Sequence, residues 1–481
     1  MRITLKEPKS KEELEQLSHG QLVELAYKLW AVVRAQQSEL EELRRAPYAG
    51  ANSGRGSPRR RRKKPGRKPG QGPFGHRLPP SEEEVTQHEE VPLPDTCPGC
   101  GSVELELEHD EDAWTTDIPD TPPKAAVIHF SVPVCRCRSC GKTDIRGKHP
   151  KIAADQRGAT AHRVGPNAFA AAHSMHYGYG VTVRKTVPIL RDLTGVHVTQ
   201  SAITQDAIRR AKGELRPRYE ELRRVVRHSS VAHTDDTGMP MGGKVAYLMG
   251  FSTPDTRAEP GVSFYQTRRR HRNEEVREVL PADYQGIMVT DRGRAYDAKE
   301  LNGVKQQKCI THILRNLDAH LETKVGAARD FGERLSKLFR KTLKLWHSYH
   351  EGHRRGFQKR TERLKETLTV ELRDRKLTDP DNQRFLNELG YHHDRGNLLR
   401  FLEDPSVPPT NNFQEGELKV PIQARKVSQG VKTPTGAFAL DVHTSIIRTE
   451  QRKHPPSLIQ AVAGVFASAK KLLTPAFPQP T

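Results

Sequence analysis

Cysteine is scarce in this chain, with six residues in 481, and four of the six stand in two Cys-x-x-Cys pairs. In an intracellular chain that pattern favours metal over disulfide. No run of about 18 apolar residues occurs and mean hydropathy is −0.75, so no membrane-spanning helix is expected. The opening stretch MRITLKEPKSKEELEQL lacks an apolar core, and no signal peptide is expected from it. Negative charge is short as well. Lys and Arg number 79 against 59 Asp and Glu, leaving a formal charge of +20 and a pI near 9.7. A surplus of that size repels itself unless a polyanion screens it, and nucleic acid is the polyanion it suits. These features predict a soluble, intracellular protein that faces nucleic acid and no membrane.

Composition and periodicity divide the chain into unlike segments, so a multidomain α+β protein is expected. Residues 1–46 carry a leucine-rich helix over 10–46, with Leu22, Leu25, Leu29, Val32 or Val33, Leu40 and Leu43 near heptad spacing and Pro47 ending it. It reads as a coiled coil pairing two chains, or as one amphipathic helix packed on its own protein. Residues 47–87 form a basic linker with little to bury. Within it, Arg59, Arg60, Arg61, Arg62, Lys63 and Lys64 make an unbroken cationic run, and Arg67 and Lys68 follow between glycines and prolines. Such a run attracts phosphate whatever the base sequence, and the Gly-Arg-Lys-Pro-Gly step suits a narrow minor groove.

Residues 88–150 read as a small β module, with a strand over Ala126–Val134, bracketed by two Cys-x-x-Cys-Gly knuckles. Cys97, Cys100, Cys137 and Cys140 supply the four thiolates of a closed structural Zn²⁺ site, and Cys135 is a substitute ligand. Residues 151–228 read as helical. Val183–Leu193, a break at Gly195 and a second run over Thr199–Arg210, capped by Thr199 or Ser201, suit a helix-turn-helix or an ordinary helical pair, with Pro188 weakening the first.

From 229 to 440 the period changes. Strands are predicted at Ser230–Thr234, Val245–Ser252, Val262–Gln266, Gly286–Thr290 and Lys305–Ile310, with helical stretches after the third, fourth and fifth. That order predicts a mixed sheet flanked by helices. A charged helical insertion occupies about 325–405, and 441–481 is a helical tail. His347, His350 and His353, like His392-His393-Asp394, read as a solvated helix face.

Two acids end the first predicted strand, Asp235 and Asp236, and Asp291 ends the fourth. Alternation lets only one of the first two face the Asp291 side. Aspartates on neighbouring strand ends are costly without a cation between them, and a third acid on a nearby helix would complete an oxygen cage suited to Mg²⁺ or Mn²⁺. Taken alone, acids at strand ends are as consistent with ordinary solvated surface as with metal binding.

The segments HTDDTG, TDRGRAY, KCITHILRNL and PTNNFQE, preceded by KKPGRKPG and the two knuckles, resemble in joint order the landmarks of the insertion-sequence "sixty-six"-type transposases. The resemblance implies an RNase H-like catalytic core with an Asp-Asp-Glu triad that cuts and joins transposon ends, using two Mg²⁺ or Mn²⁺ ions. It assigns the triad to Asp235, Asp291 and Glu415, the last from the step Asn411-Asn412-x-x-Glu415, with Asn411 and Asn412 supporting. Cys309 and His312 match a Cys-x-x-His step that shapes the site, and Arg425 and Lys426 match a basic step at DNA. Here Asp236 stands where the family has Glu, and Gly416 where it has Arg, leaving Glu417 as the competitor for third acid. The resemblance also implies a cytoplasmic protein working at the bacterial nucleoid, with double-stranded DNA (transposon ends and target), homo-oligomers on DNA and accessory proteins as partners. The rival functions are a DNA-binding derivative without catalysis and a structure-selective nuclease.

Overall fold

The computed structural model describes residues 162–472 except 257, 258, 374 and 375, and before them short stretches, chiefly 81–85, 100–103 and 125–147. The chain divides into two compact units, Met1–Val85 and Thr86–Thr481. In the first, the described residues include a helical turn at Glu82–Glu84. The leucine-rich segment beyond Gly20 and the basic run lie outside the described residues. No described helix is long and apolar enough to cross a membrane.

In the second unit a short antiparallel hairpin, β1 (Val134–Cys135) and β2 (Ile145–Arg146), brackets the second cysteine knuckle. The strand expected over Ala126–Val134 is thus confined to its last residue and the next. Pro133 has no N–H to give a ladder at the point where pairing begins.

Four helices follow: α1 (Pro166–His173), α2 (Val183–Thr194), α3 (Gln200–Lys212) and α4 (Arg216–Arg227). A π turn, Ser174–Gly178, extends α1. Gly195 closes α2 in the left-handed region, with φ 67°, where a side chain would be strained. The Thr199 hydroxyl then accepts from the Ala202 N–H at 3.1 Å and starts α3. Both signals read from the sequence act as expected, and Pro188 is accommodated inside α2.

The core sheet comprises β3 (Val231–Gly238), β4 (Tyr247–Ser252), β5 (Ser263–Arg268), β6 (Ile287–Thr290) and β7 (Lys305–Lys308), in spatial order β5-β4-β3-β6-β7. Strands β3, β4 and β5 pair antiparallel, whereas β6 and β7 run parallel to β3. The five strands expected are all present. Helix α5 (Asn273–Arg277) follows the third, but only single-turn 3₁₀ segments at 294–297 and 299–301 follow the fourth. The connection spends its chain instead on the turn that brings the Gly293 N–H onto Asp291 and on those two 3₁₀ turns.

Helix α6 (Ile310–Thr323) follows β7, and the charged insertion after it is built from α7 (Gly326–His350), α8 (Phe357–Leu372), α9 (Pro380–Asp394) and α10 (Arg400–Glu403). It has a core of its own, in which Phe331, Phe339, Leu368, Leu389 and Phe401 meet Val231 and Val289 from one face of the sheet. His347, His350 and His353 are exposed, as expected. His392 departs from the solvated reading: it is 1% exposed. The period of α9 lines Phe385, Leu386, Leu389 and His392 along the buried stripe, so His392 shares the face of the leucines.

Helices α11 (Asn412–Ser428), α12 (Pro434–Arg452) and α13 (Leu458–Leu472) complete the unit. On the opposite sheet face Ala232 and Met288 join a larger core with residues of α3, α4, α12 and α13. Helix α12 lies along the edge of β5 and satisfies its outward N–H groups. Asp441 Oδ2 accepts from the Thr267 N–H at 2.8 Å, Ser445 Oγ from Tyr265 at 2.8 Å and Thr449 Oγ1 from Ser263 at 3.0 Å. Four helical residues advance about 6 Å and two strand residues about 6.6 Å, so the two repeats match. The edge is thereby closed to other strands.

Asp441 also accepts from the Thr267 hydroxyl at 2.6 Å, and burial pushes its carboxyl up to about 7. Asp441→Ala leaves a buried edge N–H unpaired and is expected to cost about 1–3 kcal/mol. Because the folded value is raised, Asp441's contribution is full below the ordinary carboxylate range and is lost as pH rises through 7. Urea denaturation should therefore show stability falling between acidic and mildly alkaline pH, with a flatter profile in Asp441→Asn. Identical profiles would refute this.

Candidate active site

Strand β3 brings its acids to the middle of the sheet. The parallel register pairs Val231 with Ile287 and His233 with Val289. Continuing it by two residues sets Asp235 level with Asp291, which lies one residue beyond the end of β6. Val231, His233 and Asp235 share one face by alternation, and Ile287, Val289 and Asp291 share the same one. Asp236 points to the other side, where its carboxylate meets His271 Nδ1 at 3.2 Å. The choice that alternation left open therefore falls on Asp235.

Helix α11 packs beside these strands and carries Glu415 in its first turn. Its close approach depends on Gly250, which pairs with Asp235 across the β3–β4 ladder. Any Cβ there would collide with the Gln414 side chain and sit 3.3 Å from Leu418. Gly416 meets nothing within 4 Å of an added Cβ, and the helix runs through it unbroken.

The electrostatics follow from this crowding. Burial first, and then the charge of Asp291, push the Asp235 carboxyl up to about 7, with Asp236 and Glu415 adding to the effect. Asp235 Oδ1 accepts from the Asp236 N–H at 2.9 Å and Asp291 Oδ1 from the Gly293 N–H at 2.8 Å. A Cβ at Gly293 would lie 2.9 Å from the Asp291 oxygen, so glycine there lets the carboxylate keep this position without shifting. Glu415 Oε1 is buried without a hydrogen-bond partner among the described residues, 3.5 Å from His312 Nε2.

Asn411 joins three elements at this point. It is fully buried. Its Nδ2 donates to the Thr234 carbonyl at 2.9 Å, which leaves Oδ1 to accept from His233 Nδ1 at 3.0 Å. That assignment places the His233 proton on Nδ1, and burial lowers the imidazole to about 4, keeping it neutral. The Asn411 N–H donates to Cys309 Sγ at 3.1 Å. Cys309 is buried at the N-cap of α6, and His312 stands one turn in. Among the described residues Cys309, His312 and Glu415 form a group whose ligand atoms lie within 4.8 Å of one another. Asn412 is exposed at the head of α11.

Glu417, the competitor, lies elsewhere. It is 6% exposed and holds Arg448 Nη2 at 2.6 Å, the Ser263 hydroxyl at 2.9 Å and the Tyr265 hydroxyl at 3.2 Å. Arg425 donates to the Gly238 carbonyl and ties the C-terminal end of α11 to the end of β3. Lys426 beside it is exposed.

Sequence reasoning missed a polar layer beneath Asp291. Lys308 is fully buried on β7, with Nζ 2.7 Å from Asp297 Oδ1 and 3.3 Å from Thr290 Oγ1. His392 Nε2 stands 3.7 Å from Asp297 Oδ2. Arg292, next to Asp291, reaches Glu388 at 2.8 Å and lies over the Phe385 ring at 5.0 Å, anchoring this loop to the insertion. The polar composition of β7, Lys-Gln-Gln-Lys in the middle of a core, is the signal that could have revealed it.

In the cysteine module, Gly101 and Gly141 both take the left-handed conformation, with φ 76° and 74°, directly after Cys100 and Cys140. Backbone N–H groups of Cys140 and Ser139 hold the Cys137 thiol below its ordinary value. Cys135 is exposed. Cys97, and Arg59 to Lys64 with Arg67 and Lys68, lie outside the described residues.

A five-stranded mixed sheet with one acid inside β3, level with another just past the end of the adjacent β6, and a third on a helix beside them defines a mixed α/β core consistent with an RNase H-like DDE domain. The Transposase IS66 family matches residues 162–439, and the chain belongs to that family. It is thus a DDE transposase, an enzyme of DNA transposition that binds DNA and uses divalent metal ions. No match was found among curated proteins.

Proposed function

We propose that Asp235, Asp291 and Glu415 are the catalytic carboxylates with which the chain cleaves transposon ends and joins them to target DNA. The observation that carries this reading is the level placement of Asp235 and Asp291 on one face of adjacent parallel strands, with Glu415 on the helix packed against them. The donor set is oxygen, which suits Mg²⁺ or Mn²⁺. The fit is supported by a cluster that is uncomfortable without a cation: Asp235 is raised to about 7, and Glu415 Oε1 has no partner among the described residues. Two such ions, when bound, supply Lewis-acid activation of the attacking and leaving oxygens of a phosphodiester.

The chain's own residues hold the frame. Asn411 sets α11, and hence Glu415, against β3. Gly293 lets the loop turn back onto Asp291, and Lys308 places a buried positive charge beneath it. Exposed Lys426 and the cationic segment Arg59–Lys64 add phosphate contacts.

Strand transfer with Mn²⁺ on DNA bearing the element's own ends tests the assignment. Asp235→Ala and Asp291→Ala should each abolish joining, and survival of joining in either would sink it. Mn²⁺ binding by the wild type should also tighten as pH rises through 7, because the proton must leave Asp235 first. That pH dependence should vanish in Asp235→Asn. Cleavage without joining by the wild type would point to a nuclease.

The paired knuckles support a structural Zn²⁺ held by Cys97, Cys100, Cys137 and Cys140. The matching left-handed glycines and the depressed Cys137 thiol suit that role. Purified protein should carry about one zinc per chain and lose it in Cys137→Ser. Zinc-free protein of unchanged fold would refute the site.

A further inference from the structure

We propose that the exposed face of α3 reads base edges in the major groove of duplex DNA. The proposal rests on the chain acting on DNA, as its family does, and not on the assignment of the catalytic acids, so the two can fail separately.

Helices α1, α2 and α3 share a small core of their own, formed by Ala171, Ala172, Leu190, Val198 and Ile203. The Gly195 turn and the Thr199 cap join the second of them to the third. Helix α3 divides cleanly along its length. Ile203, Asp206, Ala207, Arg210 and Ala211 are buried, while Gln200, Ser201, Thr204 and Gln205 are exposed in its first two turns. In helix-turn-helix readers, residues near the start of the second helix meet the bases. Carboxamides pair with the N6 and N7 edge of adenine, and hydroxyls accept or donate to several bases.

Charge supports DNA over a protein partner. The one acid within α3, Asp206, is turned inward, where His173 Nε2 at 2.9 Å, Arg210 Nε at 2.6 Å and Arg209 Nη2 at 2.6 Å surround it. Arg184 and Lys185 are exposed at the start of α2, with no ion pair among the described residues. They stand where the first helix of such a pair crosses the phosphate backbone. The exposed face of α3 offers no apolar anchor. Ile208 is half-buried and packs against the main core. A protein interface would need aromatic or aliphatic anchors there. Thirteen helical residues span about 20 Å, and the major groove, about 12 Å wide, admits a helix.

Selection from a library of duplexes with a randomised core, using the full-length chain, tests this. The wild type should enrich a sequence motif. The variant Gln200→Ala/Ser201→Ala/Thr204→Ala/Gln205→Ala should bind that motif at least about tenfold more weakly and keep its affinity for unrelated duplex. Arg184→Ala/Lys185→Ala should do the opposite, weakening all duplexes alike and lowering the salt slope by about 2. A single change that keeps the fold, Gln205→Glu, should alter the preferred base at one position from adenine towards cytosine. The proposal is overturned if the wild type enriches no motif, or if the quadruple and Gln205→Glu variants enrich the wild-type motif unchanged. It is equally overturned if the alanine variant loses self-association while its DNA preference is intact.

Discussion

Glu417→Ala is expected to destabilise the protein by about 3–5 kcal/mol, whereas Glu415→Ala should leave stability within about 0.5 kcal/mol. The reason lies in what each carboxylate faces. Glu417 is buried against Arg448 at 2.6 Å, and removing it leaves a guanidinium uncompensated and the Ser263 hydroxyl without its acceptor, while the Tyr265 hydroxyl keeps the Glu417 carbonyl at 3.1 Å. Glu415 is half-exposed and stands among other acids, so deleting its charge relieves repulsion on Asp235. For activity the order reverses. Under the proposed assignment Glu415 is a metal-holding carboxylate, and its loss forfeits several kcal/mol of charge stabilisation, which at 1.36 kcal/mol per decade is about 10³-fold in strand transfer. Chemical denaturation and single-turnover joining, measured on both variants, decide the matter. A stable, inactive Glu417→Ala beside an active Glu415→Ala would exchange the two roles.

Asn411→Ala should damage both stability and chemistry. The side chain is the shared partner of the Thr234 carbonyl and His233 Nδ1–H, both buried. Alanine leaves the two unsatisfied, at about 1–3 kcal/mol each, so a loss of about 2–6 kcal/mol is expected. Asn411 also holds the start of α11 against β3, so Glu415 loses its register with Asp235. Outer contacts of this kind are worth about 10–100-fold in metal affinity or activity. Joining by the folded fraction should fall by that factor, with weaker Mn²⁺ binding. Wild-type Mn²⁺ affinity in a destabilised Asn411→Ala would restrict Asn411 to folding alone.

Much of the fold and of the site is legible in the amino-acid sequence. The five strands declare themselves as short β-patterned segments, though β7 is polar and β6 a continuous apolar run, and the Gly195 stop and Thr199 cap by local chemistry that needs no distant partner. Asp235, Asp291 and Glu415 stand in short motifs whose joint order carries the resemblance. What stays hidden depends on residues far apart in the chain. His233 and Asn411 are 178 positions apart, and no local pattern announces that one fixes the other. His392 reads as solvated because His393 and Asp394 beside it are polar; only the period of α9 against the neighbouring core turns it inward. Glu417 looks equivalent to Glu415 because the two are separated by one residue. On a helix that step is about 200°, enough to carry one acid to the strand ends and the other into the core beside Arg448.

The sequence by itself determined the element order, the helix boundaries at Gly195 and Thr199, the cationic character and the three acid motifs. These follow from periodicity, backbone chemistry and charge, all local to the chain. Tertiary structure decided which acids share a face, through the parallel register of β3 and β6. It also decided that Asp236 turns away to His271, that Lys308 is buried beneath Asp291, and that Asp441, Ser445 and Thr449 close the β5 edge. Each of those outcomes is a match between two distant repeats or a desolvated charge finding its partner. Such energies exist only once the elements have packed.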